Sequence, residues 1–300
     1  MTARLNLSLG PVLYLWDGPL WRDFYLRIAD EAPVEEVTIG EIVCSKRSHF
    51  IASYLPMVLD RLTRAGKRVR LGSLAMVTLE RESAELRRLA EHTGITIEAN
   101  DLSAIALLSG RTHAIGPFVN VYNATAARVF AERGAERICL PPELPAASIA
   151  AIVHEGPPIA FELFAFGRVP LAISARCAHA RAKGRSKDKC QFVCGEDPDG
   201  LTVDTLDGQP FFALNGVQTV SYTCHALLKE LDEIANIGVA SARLSPQNCD
   251  MVAVARVYDD LLNARTEAPA ALAQLEKIYP DVPFSNGFYH GVAGAHWVDS

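Results

Sequence analysis

Short β-rich apolar runs alternate with helical patterns along most of the chain, and this alternation limits the fold more than any other feature of the sequence. Strands are expected at Val12–Trp16, Val34–Ile39, Val69–Leu71, Ile95–Glu98, Arg137–Leu140, Pro158–Leu163 and Gly238–Leu244, with a further one entering the run HAIGPFVNVYN that begins at His113. Helix signals fall between them. Pro19 suits the first turn of a helix through Ala29, with Leu20, Phe24 and Ile28 at four-residue spacing. Phe50–Ala65 stops at Gly66 and Glu80–His92 at Gly94. Asp101 caps a short helix through Leu108, and Asn123 caps one ending at Arg133 and Gly134. Ala146–His154, Ala226–Ile237 and Met251–Asn263 complete the series, and the tail from Pro280 reads as loop.

About eight strand–helix units in consecutive order suit an α/β fold, a TIM-type (β/α) barrel. It would form a single barrel-like domain over residues 1–300, with residues 162–222 as an inserted cysteine-containing loop and small β excursion. An open doubly wound sheet is the alternative, since strand order alone does not fix closure. The phosphate-binding signature of a dinucleotide fold is missing: no G-x-G-x-x-G follows a strand, and no Walker A motif occurs.

With 49% apolar and 21% charged residues, the chain can build a sizeable core. A net charge of −6 argues against a general nucleic-acid binder. No run reaches the roughly 18 apolar residues of a membrane span, and Gly10, Pro11 and Asp17 interrupt the N-terminal stretch as no signal peptide would be interrupted. Seven cysteines, an odd number, then read as reduced thiols of a cytoplasmic protein.

Three of those cysteines, Cys177, Cys190 and Cys194, lie in the segment Phe161–Glu196 with the spacing C-x12-C-x3-C. Arg176, Arg181, Lys183, Arg185, Lys187 and Lys189 surround them, and nearby cations favour the metal-binding thiolate. The charge run is otherwise read as a solvated loop. Cys44 follows the second expected strand, at the end where barrels place functional residues, so it can meet the other three. Four thiolates suit Zn(II) or an iron–sulfur cluster; only Cys190/Cys194 approaches a zinc knuckle, and the wide spacing favours a cluster. Glu41, Lys46, Arg47 and His49 are either ordinary loop polarity or, for the basic ones, partners for an anionic substrate group. Cys139, in an apolar strand, reads as a core residue, and Cys224 and Cys249, near expected helix starts, as packing residues. His179 is expected as an exposed loop residue. No G-x-S-x-G or H-E-x-x-H motif occurs.

The run ELFAFGRVPLAISARC (Glu162–Cys177) resembles the signature of the collagenase-like peptidases of family U32 through Glu162, Phe164, Gly167 and Cys177, with Pro170 in place of the first signature cysteine. Together with GEIVCSKR (Gly40–Arg47), that departure is similar to the branch of the family that serves oxygen-independent ubiquinone biosynthesis. The resemblance implies a barrel-like fold and a 4Fe–4S cluster on Cys44, Cys177, Cys190 and Cys194. It also implies a heterodimer with the sister subunit UbiU that hydroxylates the aromatic ring of a ubiquinone precursor. Prephenate would be the oxygen donor and UbiT the lipid-carrier accessory protein. It names no catalytic residue. The competing readings are a collagenase-like peptidase and a non-catalytic cluster-binding scaffold.

Overall fold

The computed structural model describes residues 5–299. The start of the N-terminal stretch weighed above as an export signal lies outside them. Eight parallel strands close into a barrel: β1 (Asn6–Leu9), β2 (Glu36–Ile39), β3 (Arg68–Gly72), β4 (Thr96–Ala99), β5 (His113–Ile115), β6 (Ala135–Leu140), the first half of β7 (Ala160–Ile173) and β11 (Ser241–Leu244). Closure comes from β11, which pairs in parallel with both β1 and β7. The expected TIM-type barrel is the fold.

Helices α1 (Gly18–Glu31), α2 (Ser48–Ile51), α3 (Leu55–Arg64), α4 (Glu80–Ala90), α5 (Leu102–Leu108), α6 (Ala124–Glu132) and α7 (Ala146–Glu155) fall between the barrel strands up to β7. Later in the chain come α8 (Ala178–Ala182), α9 (Leu231–Ile237), α10 (Met251–Leu262) and α11 (Ala268–Ile278). The start signals act as expected. Asp101 Oδ1 accepts from the Ser103 N–H at 2.8 Å, Asn123 Oδ1 accepts from Ala126 at 2.8 Å, and Pro19 sits in the first turn of α1.

Three expectations are corrected. Val12–Trp16 is a buried irregular segment, and the first strand lies earlier, at Asn6–Leu9. Phe50–Ala65 is not one helix: α2 ends at Ile51 and α3 starts at Leu55, with Pro56 in its first turn. Residues from Ala226 do not begin a helix, because Ala226 ends β10 (Gln218–Ala226) and α9 starts at Leu231. The β excursion is present as β8 (Leu201–Asp204) and β9 (Pro210–Asn215), which continue antiparallel from β10. The tail is mostly loop, apart from a two-residue strand, β12 (Phe284–Ser285), beside β10.

The strands alternate, but in an unusual sense. Leu7, Leu9, Val37, Ile39, Leu71, Ile97, Ile138, Leu163, Ala242 and Leu244 belong to the main apolar core with residues of the surrounding helices. The intervening positions carry charge: Glu36, Arg70, Glu98, Arg137, Glu162 and Arg243, joined by Ser8, Thr38 and Ser241. Barrel interiors are commonly filled by branched aliphatics; here they hold an ion lattice. Arg243 bridges Glu98 (3.1 Å) and Glu162 (2.8 Å). Arg70 pairs with Glu36, Arg137 reaches Glu36 at 3.0 Å, and Arg70 stands 3.9 Å from Glu162. Ser8 donates to Glu162, and Thr38 to Glu98 at 3.2 Å.

Strand β7 outruns the barrel. Its first half pairs with β6 and β11, and its second half continues antiparallel to β10, with one register shift on each strand flanking the Val220–Pro170 pair. The overhang carries the chain to Cys177, just beyond the barrel.

Removing one member of this lattice should be costly. We expect Arg243→Met, which leaves Glu98 and Glu162 short of a partner, to lose about 3–5 kcal/mol in urea unfolding at pH 7. Burial pushes the Glu162 carboxyl up, but Arg243 and Arg70 outweigh it and hold its pKa down at about 2. That stabilisation is complete above the unfolded value and is lost as pH falls from about 4.5 towards 2. Acid unfolding of Glu162→Gln should lack this part of the pH dependence and start from a lower stability at pH 7.

Candidate functional site

The four cysteines come from separate turns on one side of the barrel. Cys44 follows β2 and precedes a 3-10 turn at Ser45–Arg47. Cys177 is the N-cap of α8, and its Sγ accepts the Ala180 N–H at 3.3 Å. Cys190 follows the turn Lys187–Lys189, and Cys194 lies in the turn Val193–Gly195. Between the last two, Gln191 (φ 49°) and Phe192 (φ 55°) are both left-handed, a costly arrangement for non-glycine residues. Aromatic packing holds it: the Phe192 ring lies 5.1 Å from His49 and 5.0 Å from Phe50, tying this loop to α2.

All four cysteines line one small cavity, with Lys46, Arg47, Lys187, Phe192, Val193 and Val217. Leu13, Ile42, Val43 and Ala180 form the apolar cluster around it. Among the described residues, no three His, Cys, Asp or Glu side chains are gathered tightly enough to grip a metal ion. A shared wall of thiols, rather than a finished coordination shell, is what the fold provides.

Arg47 is the cation that matters here. It is 1% exposed, donates from Nη1 to the Leu13 carbonyl (3.2 Å) and from Nη2 to Asn215 Oδ1 (2.7 Å), and its charge acts on the Cys194 thiol. Asn215 passes the contact on: its Nδ2 donates to the carbonyls of Cys194 (3.0 Å) and Asp197 (2.8 Å), and its Oδ1 also accepts the Leu15 N–H at 3.2 Å. The segment after β1, the Cys44 turn, the Cys194 turn and the β9–β10 turn are thus fastened by one guanidinium and one amide. Gly216 makes room for it. Its φ is 69°, and a Cβ there would meet Arg47 Nη2 at 2.2 Å.

Burial pushes the thiols of Cys44, Cys177 and Cys194 up, and Arg47 pulls all three back. The expectation that the basic run lowers the thiol pKa is therefore corrected. Of that run Lys187 pulls the Cys44 thiol down, and Lys183 pairs with Asp197 (3.1 Å) and Glu196 (3.4 Å). His179 is also corrected, from exposed to 0% exposed. Its Nδ1 faces the Leu214 carbonyl at 3.0 Å and its Nε2 faces Asp197 at 3.1 Å.

The polar residues beside Cys44 have structural partners. Glu41 Oε1 accepts the N–H groups of Val43 and Cys44, both at 2.9 Å, Lys46 donates to the Lys187 carbonyl at 2.7 Å, and His49 Nδ1 faces the Lys46 carbonyl at 2.8 Å. The remaining cysteines stand apart from the cavity. Cys139 is buried on β6, where Arg243 and Glu162 influence it; Cys224 is buried within β10 and not at a helix start; Cys249 touches Met251 at 3.8 Å.

Compared with known proteins, the chain matches the model of Peptidase family U32 over residues 25–299, and it belongs to that family. Among solved structures it is similar to the U32 peptidase Mk0906, at 13% identity and a TM-score of 0.46, covering 83% of this chain and 95% of that one.

If Arg47 needs the space at Gly216, Gly216→Ala should lower stability by about 1–3 kcal/mol in thermal unfolding, through backbone strain and displacement of the guanidinium. Gly208 is the control. It shares a positive φ of 77°, but nothing lies within 4 Å of its would-be Cβ, so Gly208→Ala should cost less.

Proposed function

We propose that Cys44, Cys177, Cys190 and Cys194 hold one 4Fe–4S cluster, and that the chain is an iron–sulfur subunit of the UbiV type. With UbiU it would hydroxylate the aromatic ring of a ubiquinone precursor without molecular oxygen, taking the oxygen from prephenate. The observation that carries the cluster reading is the common cavity: three thiols of one segment and the remote Cys44 share one wall around a buried arginine. The assignment to ubiquinone synthesis is supported by the likeness of Gly40–Arg47 and Glu162–Cys177, with Pro170 between Gly167 and Cys177, to that branch of the family.

A bound cluster would supply one-electron redox chemistry. The chain's own groups would set its surroundings. The Ala180 N–H donates a hydrogen bond to the Cys177 sulfur and the Arg47 charge acts on Cys194, both of which favour the more negative state. Glu41 holds the Cys44 turn through two backbone N–H groups without touching sulfur. Among the described residues no helix is long and apolar enough to cross a membrane, and the reading assigns delivery of the apolar precursor to UbiT.

Anaerobic reconstitution followed by iron and sulfide counting tests the cluster. About four of each per chain are expected, with a visible absorption band that any one of Cys44→Ala, Cys177→Ala, Cys190→Ala or Cys194→Ala removes and Cys139→Ala retains. Stoichiometric zinc in place of iron would refute it. Deletion of the gene should abolish anaerobic ubiquinone and leave aerobic synthesis intact; gelatin cleavage by the isolated chain would instead support a peptidase.

A further inference from the structure

The ring of helices around the barrel is not uniformly closed. Helix α3 packs on α1, α4 on α5 and α6 on α7. Between α3 and α4 lies a cavity of about 270 Å³. Ile39 and Leu71, at the C-terminal ends of β2 and β3, form its floor, and Ile51, Leu55, Leu86 and Leu89 its walls. This opening approaches the roughly 300 Å³ at which small-molecule pockets begin.

Its charged lining is mostly acidic. Glu41, Glu82, Glu85 and His92 line the cavity, and no Lys or Arg does; Glu41 and Glu82 already accept from Val43, Cys44, Ser45, Thr78 and Leu79, which leaves Glu85 as the carboxylate that can accept from a ligand. An anionic ligand would be repelled there, whereas an apolar body with a hydrogen-bond donor would find both a floor and an acceptor. The cavity also shares a wall with the cysteines. Gly40, Glu41 and Ser48 line one side of the segment, and Cys44, Lys46 and Arg47 line the other. Ser45 fastens this segment to the α4 side of the opening by donating to Glu82 at 2.6 Å.

We propose that the opening between α3 and α4 is a binding site for an uncharged, apolar small molecule, about the bulk of two to three aromatic rings, that carries a hydrogen-bond donor. The site stands on the cavity and its charge, independently of any metal. A ligand held there lies across the Gly40–Ser48 wall from the thiols, so the chain has an apolar recognition site beside its cysteine cavity.

Two fluorescent probes with the same ring system provide the test. N-phenyl-1-naphthylamine is neutral and carries an N–H donor; 8-anilinonaphthalene-1-sulfonate adds one negative charge. The neutral probe should bind the full-length chain saturably at one site, with at least tenfold higher affinity than the sulfonate. Ala52→Trp, at the exposed rim, should weaken the neutral probe at least tenfold while circular dichroism and melting stay unchanged. Glu85→Lys, also at an exposed position, should narrow the neutral-to-anionic preference several-fold. Non-saturable binding, equal affinity for the two probes, or a preference that Glu85→Lys leaves unchanged would overturn the proposal. So would full affinity in Ala52→Trp. Iron measured on the same samples keeps this outcome separate from that of the cluster.

Discussion

The ion lattice inside the barrel sets the terms for the rest of the structure. Glu36, Glu98 and Glu162 face Arg70, Arg137 and Arg243 in a space that most barrels fill with aliphatic side chains. Taking such groups out of water is expensive, and their mutual attraction offsets the cost only when each finds its partners. Those partners lie on different strands: Arg243 on β11 needs Glu98 on β4 and Glu162 on β7. Register is consequently pinned right around the barrel. A slip of one residue in β2, β3, β4, β6, β7 or β11 would turn a charge outward beneath the helices and leave its partners unpaired inside.

That register fixes where the strands end, and the cysteine cavity is built from those ends. Strand β2 releases the chain into the Cys44 turn, and the overhang of β7 carries it to Cys177. Arg47 and Asn215 then bind the turns together by a few hydrogen bonds, one of them to the Cys194 carbonyl. The cavity is therefore a rigid-body product of the barrel and a small polar clamp. On the opposite side of the Gly40–Ser48 segment the same strand ends floor an apolar opening. One short loop thus faces thiols on one side and an oil-like pocket rimmed by carboxylates on the other.

Much of this was legible in the sequence, for identifiable reasons. Asp101, Asn123 and Pro19 act at helix starts through local hydrogen bonding and dihedral preference, so their effect does not depend on the fold. The cysteines stood out because thiols recur in few contexts, and a barrel brings strand ends together. Val12–Trp16 misled because an apolar run fits a buried irregular segment as well as a strand; its burial comes from contacts such as Tyr14 with Gln247, 233 residues away. In the sequence Arg47 reads as loop polarity or as a partner for an anionic group, since its partner Asn215 is remote in sequence. The lattice did leave a trace: single charged residues recur in otherwise apolar strands, as in EVTI, AERICL and SARL. Read together, those charges signal an inward polar face.

The central claim is that the four thiols around Arg47 share one iron–sulfur group. Iron-edge X-ray absorption on the anaerobically reconstituted chain tests it most directly, because it reports the neighbours of each iron. The account predicts sulfur in the first shell of every iron and other irons in the next, with that pattern lost when Cys194 is replaced by Ala. Isolated iron atoms with nitrogen or oxygen neighbours, or a spectrum indifferent to Cys194→Ala, would contradict it.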